Sequence, residues 1–85
     1  MKVLVVEDDA IVAQAIVALL TSHHYAVDVA IDGLEGLEMA EAYSYDLMLL
    51  DIGLPGLDGV SLCQQLRTQG LQTPILLLTG QEVAA

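Results

Sequence analysis

Three short apolar runs mark out the chain, and each stops on a polar side chain. VLVV (Val3–Val6) meets Glu7, Asp8 and Asp9; LMLL (Leu47–Leu50) meets Asp51; ILLL (Ile75–Leu78) meets Thr79. Runs that are apolar at every position suit strands covered on both faces, as in a parallel sheet. AVDVA (Ala26–Ala30) alternates instead, with Asp28 on one face, and reads as an edge strand.

Between these runs the spacing becomes helical. Ala10–Ser22 forms one helix and Gly33–Ala42 a second, with Leu34, Leu37 and Ala40 on one face and Glu35, Glu38 and Glu41 turned away. A third runs from about Gly59 to Thr68, with Leu62, Cys63 and Leu66 inward and Asp58 placed to cap it. Strand and helix thus alternate three times before a fourth strand. Right-handed crossovers make that an α/β layered sheet. Two features stand out. The first helix is apolar nearly all round, and the fourth strand is followed only by GQEVAA. An open strand edge beside an apolar helix predicts a homodimer or strand-swapped oligomer built through those two surfaces.

Composition narrows the function classes. The chain has 85 residues, which is one small domain, and is 55% hydrophobic with a mean hydropathy of +0.64, so a packed core is expected. Its net charge is −10, and Lys2 and Arg67 are its only Lys or Arg residues. Phosphate neutralisation needs more cations than that, so this segment is not expected to bind nucleic acid. Cys63 has no partner for an internal disulfide, which is compatible with a reducing cytoplasm. The start of the chain does not read as a secretory signal, and Ala10–Leu20 is too short to span a bilayer.

The candidate chemistry lies where the apolar runs stop. In a parallel α/β sheet all strand C-termini emerge on one edge, where ligands bind. If the first and third strands are neighbours, Asp8 and Asp51 face each other, with Glu7 and Asp9 close by. Crowded carboxylates either rise in pKa or hold a cation, and a hard divalent ion such as Mg²⁺ suits oxygen ligands. With that charge present, a carboxylate can attack a phosphoryl group, and Thr79 offers a hydroxyl donor. Gly53 has no Cβ, so its carbonyl can approach a metal, while Pro55 and Gly56 shape the turn before Asp58.

Other polar residues have plainer readings. Asp9 reads as a cap or first-turn acid and His23-His24 as a solvated corner. Cys63 reads as a small core hydrophobe, and the glutamates of the second helix as its wet face.

The EDD after the first strand, LLDIGLPGLDG around the third and PILLLTG at the fourth together resemble the receiver domain of two-component response regulators. The resemblance runs along the whole chain. It implies a flavodoxin-like sheet of strand order 2-1-3-4, with the family's fifth strand and fifth helix missing. Residues 1–85 would then be a single incomplete domain, about the first two-thirds of a receiver. By position, Asp51 corresponds to the phosphoacceptor, and Glu7 and Asp8 to the acidic pair, with Asp8 a direct ligand of Mg²⁺ and Glu7 an indirect one. Gly53 would give its backbone carbonyl to the metal, and Thr79 would be the switch hydroxyl. The family's lysine lies past the fifth strand, so this chain has no catalytic lysine, and Lys2 is no substitute. Gly80 stands where alanine is common.

The implied partner is a sensor histidine kinase or phosphotransfer protein in the cytoplasm, with transcription controlled through a downstream module. The implied role is that of a phosphoacceptor rather than an enzyme. Two alternatives stand beside it. One is a truncated receiver serving as a non-phosphorylated interaction module. The other is a phosphatase of the haloacid dehalogenase type, whose second acid would fall on Gly53.

Overall fold

The computed structural model describes residues 1–78, and the expectations for Thr79 and Gly80 lie outside them. The elements run β1 (Lys2–Val6), α1 (Ala10–Ser22), β2 (Ala26–Ala30), α2 (Gly33–Ala42), β3 (Leu47–Asp51), α3 (Gly59–Thr68) and β4 (Ile75–Leu78). The four strands make one parallel sheet in the order β2-β1-β3-β4. That is the expected α/β architecture.

Alternation along the strands divides the core in two. Leu4, Val6, Met48 and Leu50 point to one face and meet Leu37 and Ala40 of α2 and Leu62 and Leu66 of α3. Val3, Val5 and Leu49 point to the other, against Ile16 and Leu20 of α1. Strands buried on both sides need apolar residues at every position, which is why β1 and β3 show no alternation. The edge strand β2 alternates, and its Asp28 accepts a hydrogen bond from the Tyr45 hydroxyl at 2.7 Å.

Each helix starts on an aspartate. Asp9 accepts from the amides of Ile11 and Val12, Asp32 from Glu35, and Asp58 from Ser61 at 2.9 Å. These bonds satisfy amides that have no partner inside the helix. His23 and His24 lie exposed at the end of α1, and Cys63 packs half-buried against the core, as expected.

Two elements depart from the sequence pattern. Leu34 does not face inward but is 60% exposed, because α2 docks through Gly33, Gly36, Leu37 and Ala40. Gly36 sits so near Val6 that a Cβ would come within 2.8 Å of its side chain, so glycines define the buried stripe. Helix α1 buries only Ala13 fully and leaves Ile11 and Leu19 exposed. Among the described residues no helix is long and apolar enough to cross a membrane.

Candidate functional site

Parallel pairing delivers the strand-end acids to one place. Val6 pairs with Leu50, so Glu7 and Asp51 come next on adjacent strands. The Glu7 amide extends the ladder by donating to the Ala30 carbonyl at 3.0 Å, which keeps the residue at the sheet's edge. Carboxylate oxygens of Glu7, Asp8 and Asp51 then lie within 4.8 Å of one another. Asp8 is exposed, Asp51 half-buried and Glu7 buried.

Glu7 feels this crowding most. Its carboxyl is pushed up from 4.5 to about 7, chiefly by burial. Hydrogen bonding to Asp51 and repulsion from it push the same way, as does Asp8, while the Asp9 amide, donating at 3.1 Å, pulls it down. Proximity of like charges in a partly dry site favours the protonated form. Neither Lys2 nor Arg67 relieves it. Lys2 faces Asp28, and Arg67 donates to the Leu71 carbonyl.

Asp51 is oriented by the loop that follows it. Its Oδ1 accepts a hydrogen bond from the Gly53 amide at 3.1 Å. Pro55 and Gly56 are exposed, whereas Leu54 is buried and Leu57 packs on the core cluster, so the loop is fastened by its leucines. The Gly59 amide closes the loop by donating to the Ile52 carbonyl at 3.1 Å. An open groove of about 380 Å³ runs from Glu7 and Asp8 along α1, past Ala10, Ala13 and Gln14.

The donor set suits a hard divalent cation: it is all oxygen and carries three carboxylates on two neighbouring strand ends, one of them raised in pKa by burial and by its acidic neighbours. The structure brings together the predicted Asp8 and Asp51 and puts Glu7 between burial and the cluster. Asp9 and Asp58 are caps. The sequence pattern anticipated a raised pKa in the cluster without picking out Glu7, whose burial makes it the group raised. The available signal was its place straight after a fully buried run, on the same side as Val3 and Val5.

Comparisons with known proteins bear on the family and the fold. Residues 3–85 match the family model described as the response regulator receiver domain. Over 82 residues the chain is 51% identical to protein RcaC of Microchaete diplosiphon, covering 96% of this chain and 13% of RcaC. It is 49% identical over 81 residues to the transcriptional regulatory protein DltR of Streptococcus agalactiae, covering 95% of this chain and 36% of DltR. The chain therefore spans well under half the length of either relative. The response regulator TrrA of Thermotoga maritima, solved in complex with Mg²⁺-BeF, superposes with a TM-score of 0.90 at 31% identity, covering 95% of this chain and 70% of TrrA.

Proposed function

The chain belongs to the response regulator receiver domain family, and on that footing we propose that Asp51 accepts a phosphoryl group from a phosphohistidine on a partner kinase or phosphotransfer protein. Receiver domains are signalling domains rather than classical enzymes, so the product is the modified chain itself. The observation that carries the reading is the approach of Glu7, Asp8 and Asp51 oxygens to within 4.8 Å at the ends of β1 and β3.

In this reading an Asp51 carboxylate oxygen attacks phosphorus, the phosphorus–nitrogen bond breaks, and the electron pair stays on the departing imidazole, which takes up a proton. The Gly53 amide orients the Asp51 carboxylate by donating to one of its oxygens. Asp8 and Asp51, with the Gly53 carbonyl, would hold Mg²⁺, and Glu7 would act behind them. When bound, the cation offsets the charge of the phosphoryl oxygens against the acidic pocket. Thr79 would supply the switch hydroxyl. Location in the cytoplasm and a transcriptional output, of the kind DltR's name states for that protein, complete the proposal.

Intact mass tests it. The chain, and a version extended by the remaining third of a receiver domain, are incubated with a small phosphodonor and Mg²⁺. Addition of one phosphoryl group to the extended version but not to its Asp51→Ala variant is expected. No addition to any extended version removes the reading.

A second reading, assembly through β4 without phosphorylation, is favoured by the exposure of Leu76 (55%) and Leu77 (40%) on opposite faces of that strand. Light scattering at micromolar concentration would then show a dimer or larger species, and a clean monomer would remove it.

A further inference from the structure

The loop beside Asp51 is held from outside, and the tightest hold comes from a glycine on another helix. A Cβ placed on Gly33, the first residue of α2, would collide with the Leu57 backbone carbonyl and lie 2.9 Å from the Leu57 Cβ. Gly33 does not have a positive φ, so what the site requires is empty space. On the other side of the loop, a Cβ on Gly59 would collide with the carbonyl of Asp51 and lie 3.0 Å from the Ile52 Cα. The segment from Asp51 to Leu57 is therefore gripped between the first residues of α2 and α3.

A push on Leu57 has few outlets. The side chains of Leu54 and Leu57 are packed on the core, and the Gly59 amide ties Ile52 in place at 3.1 Å. Gly53 is the soft point. It is exposed, and the one group near its missing Cβ is Asp51 Oδ1 at 3.9 Å. Close-packed surroundings pass displacement to wherever space remains.

We propose that Gly33 is a positioning residue for the Asp51 site: its missing side chain lets α2 close on Leu57, and that contact sets where Gly53 meets Asp51. The functional weight of this rests on Asp51 being the phosphoacceptor, whereas the geometric claim does not.

Two readouts on Gly33→Ala decide it. One is hydrogen exchange of the Gly53 amide without metal, and the other is Mg²⁺ affinity by calorimetry. Gly53 protection is expected to fall about tenfold relative to the amides of Leu4 and Leu50, which report global opening, and Mg²⁺ to bind at least about fivefold more weakly. Gly36→Ala is the control. On the same helix as Gly33, it crowds Val6 of β1 and should lower global protection without singling out Gly53. If Gly33→Ala changes Gly53 only as much as Gly36→Ala does, the proposal is overturned. Should Gly33→Ala not fold, Leu57→Ala removes the side-chain packing that holds Leu57 against Gly33, and parent-like Gly53 protection in it overturns the proposal equally. Failure of the parent chain to bind Mg²⁺ counts against the site reading, while the exchange experiment still decides the positioning.

Discussion

The two ends of the sheet both gather acids, and they treat them in opposite ways. Toward the strand starts, Asp28 accepts from the Tyr45 hydroxyl at 2.7 Å and lies 3.7 Å from the Lys2 ammonium, while Asp46 accepts from the Lys2 amide at 2.7 Å. The Lys2 ammonium also stands 5.3 and 5.4 Å from the ring centres of Tyr43 and Tyr45. Burial and the Asp28 carboxylate hold the Tyr45 phenol protonated well above its ordinary range. Toward the strand ends, Glu7, Asp8 and Asp51 face one another, with no salt bridge to them among the described residues. Acids at the first end stitch strands together. Acids at the second have no cationic partner among the described residues and repel one another.

Neutralising one acid at each end should therefore act in opposite directions. The largest effect is expected for Asp51→Asn or Asp8→Asn, which should weaken Mg²⁺ binding at least tenfold, about 1.4 kcal/mol, by calorimetry. The same variants should raise metal-free stability, by about 1 kcal/mol in urea unfolding, because repulsion is relieved. A drop in stability would break the contrast between the two ends.

Next comes the pH dependence set by Glu7. Its folded-state carboxyl titrates near 7, above the ordinary 4.5, so the folded chain holds more protons than the unfolded chain between those values. Its contribution is fully present below about 4.5 and is lost as pH rises through about 7. Glu7→Gln should remove that slope from urea midpoints measured between pH 5 and 8. An unchanged slope would show that Glu7 ionises as an ordinary acid.

At the opposite end, Tyr45→Phe should destabilise by about 1 kcal/mol and leave Mg²⁺ affinity as it was. A change in Mg²⁺ affinity would mean that the two ends are coupled. The smallest effect is expected for Asp9→Ala, which removes the α1 cap next to the site. Thermal unfolding should show a loss of roughly 0.5–1 kcal/mol, with Mg²⁺ affinity changed less than about twofold.

Much of the fold was legible because its signals are local. The runs ending at Glu7 and Asp51 are strands, the alternating AVDVA is the edge, and Asp9 and Asp58 cap helices a few residues away. Leu34 misled because hydrophobicity alone marks it as core. The true contact stripe contains Gly33 and Gly36, which carry no hydrophobic signal and are chosen for how closely they let the helix approach. The outside hold on the Asp51 loop was likewise silent in the sequence: beyond Pro55, the loop is held by Leu54, Leu57 and two glycines outside it.

By itself, then, the sequence determined which residue types stand at the strand ends: three acids after β1, one at the end of β3, and too few basic residues to balance them. It also set the element order, because propensity, capping and periodicity act over a few neighbouring residues. Only the tertiary structure decided that Glu7 is buried beside Asp8 and Asp51, which raises its pKa, and that Gly33 closes on the loop beside them. Repulsion between charges and contact between atoms depend on distance through space. For residues so far apart along the chain, that distance is set by the parallel pairing of β1 with β3 and the docking of α2.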